Sequence, residues 1–158
     1  VIVIGLILVF GWTSIKNLIG FGDDVGSVKI FNDFRKAVDE VSKLFPGSSI
    51  ECSLVRKPLT TENECEIIVP GNIDGICFAD TNSPLDFSNI KFKNVEEEIR
   101  VYQGTGDRNV FFATGKKPIN PIFINKLKPE NEFCIDMKTK EKTFILENKG
   151  KHVDAKKS

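Results

Sequence analysis

Residues Val1 to Ile15 (VIVIGLILVFGWTSI) carry no charge. No other feature constrains the fold as strongly. Water solvates such a stretch poorly, so it must lie in lipid or against other protein. It is also short. A membrane-spanning helix needs about 18 to 20 apolar residues, and Lys16 ends the uncharged run first. The chain begins with Val rather than Met. A processed or truncated membrane segment fits these features, and so does an apolar spoke packed among copies of itself in an assembly.

The remaining sequence bounds the function. A chain of 158 residues is one domain with an appendage. Its 22 basic and 22 acidic residues balance, which argues against general nucleic-acid binding, where a basic excess is expected. None of this charge precedes Lys16. Residues Lys149 to Ser158 lean basic and read as a solvated tail.

The four cysteines are Cys52, Cys65, Cys77 and Cys134. None sits in a C-x-x-C pair, and His152 is the sole histidine, so no zinc site is expected. All four follow the apolar head, on the side that faces outward if the head enters a membrane. An even count there favours disulfides, with three possible connectivities. The preferred pairs are Cys52 with Cys65 and Cys77 with Cys134. SIECSLV and ECEIIV flank a turn-like KPLTTEN, and antiparallel pairing across it sets the first two cysteines opposite each other. ICFAD and FCIDM are similar strand-like patches, and a bridge between them closes a long loop. No N-x-S/T sequon occurs, so N-linked sugar is not expected.

Residues 1–46 read as helical. Ile30, Phe31, Phe34, Ala37, Val38, Val41, Leu44 and Phe45 recur at three- and four-residue steps and make one apolar face. Asp33, Arg35, Lys36, Asp39, Glu40 and Lys43 fill the other, and Pro46-Gly47 stops the pattern. The parts are an apolar segment over 1–15, a joint over 16–27 with Gly20, Gly22 and Gly26, and an amphipathic part over 28–46. Each glycine weakens a helix by roughly 1 kcal/mol relative to Ala. From residue 47 the pattern changes to short β-like runs separated by Gly, Pro, Asn, Asp and Lys: SIECSLV, CEIIV, GICFA, IRVYQ, NVFFAT, PIFINKL, EFCIDM and KTFILE. The expected fold class is α+β. A long N-terminal helix packs on an antiparallel β-sheet or small β-sandwich formed by 47–158.

No catalytic constellation emerges. A histidine-based triad has only His152 to use, in the expected tail. Gly104-Thr105-Gly106-Asp107 lacks the later Gly and Lys of a phosphate loop and reads as a hairpin turn. Glu96-Glu97-Glu98 reads as a solvated loop or strand start, with no support for cation binding alongside Asp107. Asp80 and Asp86 flank TNSPL without the regular spacing of a calcium loop. No cofactor, metal or catalytic residue is expected.

The head is unlike a cleavable secretory signal, which has a basic start and a small-residue cleavage site after its core. As an assembly element it packs Val, Ile and Leu against neighbours, with Gly5 and Gly11 allowing close approach. An uncharged head (VIVIGLILVFGW), a glycine-containing joint, an amphipathic continuation (VKIFNDFRKAVDEVSKLF) and a following β domain resemble the type IV pilin superfamily, its archaeal adhesion-pilus and archaellin branch above all. The resemblance covers mainly residues 1 to 45 and rests on architecture. Bacterial pilins carry a Glu near the mature start, whereas this chain has Gly5 and no acid before Asp23.

The resemblance implies a leader peptidase, a membrane-stored pool, pilus assembly machinery and a homopolymer whose heads bundle in the filament core. Val1, Ile2, Val3, Ile4, Leu6, Ile7, Leu8, Val9, Phe10 and Trp12 are the expected assembly core. Burying roughly ten such side chains contributes on the order of 15 to 25 kcal/mol gross, before ordering costs. Ile30, Phe31, Phe34, Val38 and Val41 tie the lower helix to the β domain. Loops at Asn82 to Ser88 and Thr105 to Arg108 face solvent for adhesive or lateral contacts. The expected protein is a non-enzymatic extracellular filament subunit, inserted in the membrane before assembly. Its rival is a single-pass anchored extracellular binding module that does not polymerise.

Overall fold

The computed structural model describes residues 27–58 and 65–158. Helix α1 is described over 27–42. Its inner positions Ile30, Phe34, Ala37, Val38 and Val41 are buried, as the three- and four-residue spacing requires. The helix stops four residues before the expected 46. Leu44 N–H donates to the Val41 carbonyl at 3.0 Å in a tightened last turn. Leu44 and Phe45 then lie beyond the helix and are exposed, Phe45 at 86%.

Eight strands follow among the described residues: β1 Ser49–Val55, β2 Cys65–Ile68, β3 Ile73–Phe78, β4 Val110–Thr114, β5 Leu127–Pro129, β6 Phe133–Asp136, β7 Thr143–Asn148 and β8 Val153–Lys157. Helix α2, Lys93–Tyr102, precedes β4. The strands form a five-stranded sheet in the order β2-β1-β7-β8-β5 and a three-stranded sheet in the order β4-β3-β6.

The small sheet is buried on both faces. Ile76, Phe78, Val110, Phe112, Phe133 and Ile135 point into a core shared with α1 and the large sheet. Cys77, Phe111, Ala113 and Cys134 point the other way, onto Val95 and Ile99 of α2. This explains the unbroken apolar runs of GICFA, VFFA and FCI, which a sheet wetted on one face would not show. β7 has one wet face and alternates instead, with Phe144, Leu146 and Asn148 inward. Phe34 of α1 joins the two sheets. Its ring lies 5.7 Å from Phe78 in the small sheet and 6.1 Å from Phe144 in the large one.

These elements overturn the expected fold class. The helix described at 27–42 is about 24 Å long at 1.5 Å per residue. No helix among the described residues is long and apolar enough to cross a membrane. In place of a long helix on one antiparallel layer, the described residues show two short helices and two sheets, the larger of mixed direction. β1 pairs with β2 in parallel, and β5 with β8 likewise. Cys52 does face Cys65, but in parallel register rather than across a hairpin.

Two further elements differ from expectation. IRVYQ is the end of α2, not a strand. Val95 and Ile99 make its buried stripe and Val101 is 75% exposed, so the apparent Ile-Val alternation is incidental. The expected tail contains β8, an interior strand paired with both β7 and β5. Val153 and Ala155 are buried in it, while Lys156 reaches Glu147 on β7 at 2.8 Å.

Candidate functional site

The disulfides are Cys52–Cys65 and Cys77–Cys134, the same pairs preferred from the sequence, with Cα separations of 4.5 and 4.0 Å. Ile30, Phe34, Val38 and Val41 are buried in the main core and Phe31 packs at its margin. The expected assembly residues, Val1 to Ile4, Leu6 to Phe10 and Trp12, lie outside the described residues.

The two loops expected to face solvent are brought together. After β3, the Asp80 carboxylate accepts from Asn82 N–H at 3.0 Å and from the Ser83 hydroxyl at 2.8 Å, folding a tight turn. Buried Thr81 ties that turn to the second loop. Its hydroxyl donates to the Arg108 carbonyl at 2.9 Å, and its carbonyl accepts from Gly104 N–H at 2.6 Å. Gly106 adopts φ +68°, and a β-carbon there would collide with the Asn82 carboxamide. The left-handed backbone favours glycine there, and any larger residue would also have to displace the Asn82 carboxamide. This segment is a helix-to-strand connection between α2 and β4, not the expected hairpin turn.

A third wall comes from residues 122–128. Asn109, 4% exposed, stands at its base. Its Nδ2 donates to the Ile124 and Leu127 carbonyls, both at 2.9 Å, and its Oδ1 accepts from Ile124 N–H at 2.8 Å. A buried carboxamide so fully used fixes the loop rigidly. Lys126 is held there in the left-handed region at φ +66°, and its carbonyl accepts from Val153 N–H at 2.8 Å.

These walls border an open cleft of about 360 Å³, lined by Asp80, Asn82, Ser83, Arg108, Phe123, Lys126, Lys128 and His152 among others. Its charge is mainly positive. Arg108, Lys126 and Lys128 face one carboxylate, Asp80, which Lys128 approaches only to 4.0 Å. His152 Nε2 lies 2.9 Å from Asp154 Oδ1. The Arg108 guanidinium carbon lies 5.4 Å from the Tyr102 ring centre, and its Nε is buried without a hydrogen-bond partner among the described residues. Phe123 presents an aromatic ring at the rim, 44% exposed.

The other motifs resolve into structural roles. Asp86 caps the turn Phe87–Asn89 by accepting from Ser88 N–H, which holds its carboxyl below the usual range. Glu96 pairs with Arg100 at 2.7 Å along α2. Burial raises the Glu98 carboxyl above the usual range. No cluster of three potential metal ligands occurs among the described residues. A larger groove of about 540 Å³ runs beside β6, where Lys91, Lys140 and Lys157 outnumber Asp136 and Glu141 by one. The 360 Å³ cleft carries the greater imbalance of charge.

Sequence reasoning located the Asn82 and Thr105–Arg108 walls and missed Asn109, Phe123, Lys126, Lys128 and His152. PIFINKL reads as a strand. Only the contact with Asn109 shows that this segment is a pinned loop. Comparison with known proteins finds no matching family model, curated protein or solved structure.

Proposed function

We propose that the chain is a non-catalytic structural subunit of an extracellular filament of the type IV pilin kind, displaying its β domain for adhesion or surface contact. One observation carries the reading. The uncharged segment Val1 to Ile15 leads by a glycine-containing joint into α1, whose inner face is part of the core of a domain closed by two disulfides. The segment needs dehydration, and the disulfides suit an oxidising exterior. Polymerisation through the apolar segment meets the first need. A membrane meets it before assembly. The pinned loops around Asn82, Gly106 and Lys126 supply a rigid surface for contact.

Electron microscopy of material sheared from the native cells, with mass spectrometry of the subunit, tests this. Thin filaments built from this subunit are the expected result. Protein confined to the membrane fraction, with no filaments, overturns it in favour of an anchored binding module.

A further inference from the structure

We propose that the cleft between the 80–83 turn, Gly106 to Asn109 and the 122–128 loop binds a carboxylate-bearing sugar, such as a uronate unit of a surface polysaccharide. Size, charge and surface chemistry argue for it together. At about 360 Å³ the cleft is far larger than a lone inorganic anion needs and falls in the range of small-ligand sites. Arg108, Lys126 and Lys128 stand around it and supply the positive charge that a carboxylate requires, although Arg108 Nη1 already donates to the Asp107 carbonyl.

A doubly charged phosphate fits less well, because the Asp80 carboxylate shares the cleft. Asp80, Asn82 and Ser83 instead offer polar groups of the kind that hydroxyls recognise. The half-exposed Phe123 ring supplies an apolar plate for the C–H face of a pyranose. Rigidity adds to the argument. Asn109 holds the loop that carries Phe123 and Lys126, and Thr81 holds the opposite wall. Little ordering remains to be done when a ligand enters, which favours binding.

The inference deepens the adhesive reading above, and rests on it only for the ligand's source at a surface. Binding does not require filaments, so the two fail separately. Full-length chain in detergent micelles is titrated with trigalacturonate, with its neutral trisaccharide counterpart and with inorganic sulfate, by calorimetry at low salt. Trigalacturonate is expected to bind at least about tenfold more tightly than either competitor, a clear free-energy difference. Lys126→Asn with Lys128→Gln is expected to weaken it about tenfold, since both side chains are exposed and Asn tolerates the left-handed backbone at 126. Phe123→Ala is expected to weaken it about threefold. Absence of trigalacturonate binding, equal binding of the neutral sugar, or indifference to the lysine pair overturns the proposal. Sulfate binding as tight as trigalacturonate and unchanged by Phe123→Ala overturns the sugar assignment.

Discussion

The Asn148 side chain closes the end of helix α1 from 104 residues away: its Nδ2 donates to the Leu44 carbonyl at 2.7 Å. It also reaches the Ser42 carbonyl at 3.3 Å, and its Oδ1 accepts from Gly150 N–H at 2.7 Å. The backbone of Asn148 is engaged too, with Gly47 N–H at 2.7 Å and the Ser48 carbonyl at 2.9 Å. One residue, 3% exposed, therefore joins the helix, the following turn and β7. Asn148→Ala strands the helix-end carbonyls and is expected to cost about 2 to 4 kcal/mol. Urea unfolding of the full chain measures this. A loss below about 0.5 kcal/mol, the usual range for a surface change, shows that the junction is held by other contacts.

The two disulfides differ in the length of chain that they close, with sequence separations of 13 and 57. Chain-entropy reasoning assigns about 3 kcal/mol to Cys52–Cys65 and about 4 kcal/mol to Cys77–Cys134. Paired Cys→Ala variants should lose stability in that order. The reverse order in denaturant midpoints shows that native packing, not loop length, governs their contribution.

Acid sensitivity should reside partly at Glu147. Its carboxylate accepts from Lys149 at 2.7 Å and from Lys156 at 2.8 Å. These bonds, that of Lys149 first, lower its pKa from 4.5 to about 2. The folded value is depressed, so the stabilisation is present above the unfolded value and is lost as pH falls through the folded one. Stability of the unmodified chain should therefore drop more steeply between pH 4.5 and about 2 than that of Glu147→Gln. Unfolding followed at a series of pH values tests this, and parallel curves for the two chains remove the role given to Glu147.

Leu8→Asp probes the proposed filament core. An unpaired charge enclosed by apolar neighbours costs several kcal/mol in every copy. The variant is expected to form no filaments while its β domain stays oxidised with the same two disulfides. Normal filaments in micrographs of this variant exclude residues 1–15 as the assembly core.

Local signals in the sequence were informative where neighbouring residues shared one environment. The α1 stripe from Ile30 to Val41 was legible because a single face meets the core. The Cys77–Cys134 pair was legible because both cysteines sit in similar strand-like patches, whereas antiparallel reasoning reached the Cys52–Cys65 pair although the two strands run parallel. The reading failed where partners are distant. The apparent continuation to Leu44 and Phe45 ends because Asn148 takes up the carbonyls there. Ile99 and Val101 mimic a strand until α2 is seen lying on Phe111 and Cys77.

What the sequence determined by itself is the uncharged head, the amphipathic period of α1 and the set of apolar runs available for sheets. The tertiary structure decided the direction and order in which those runs pair. It made the lysine-rich end an interior strand and gathered Asn82, Arg108, Lys126 and His152 around one cleft. The physical reason is range. Helical periodicity and turn chemistry act over a few residues, whereas strand order and loop convergence depend on side chains such as Asn109 and Asn148 that meet their partners only after the chain has folded.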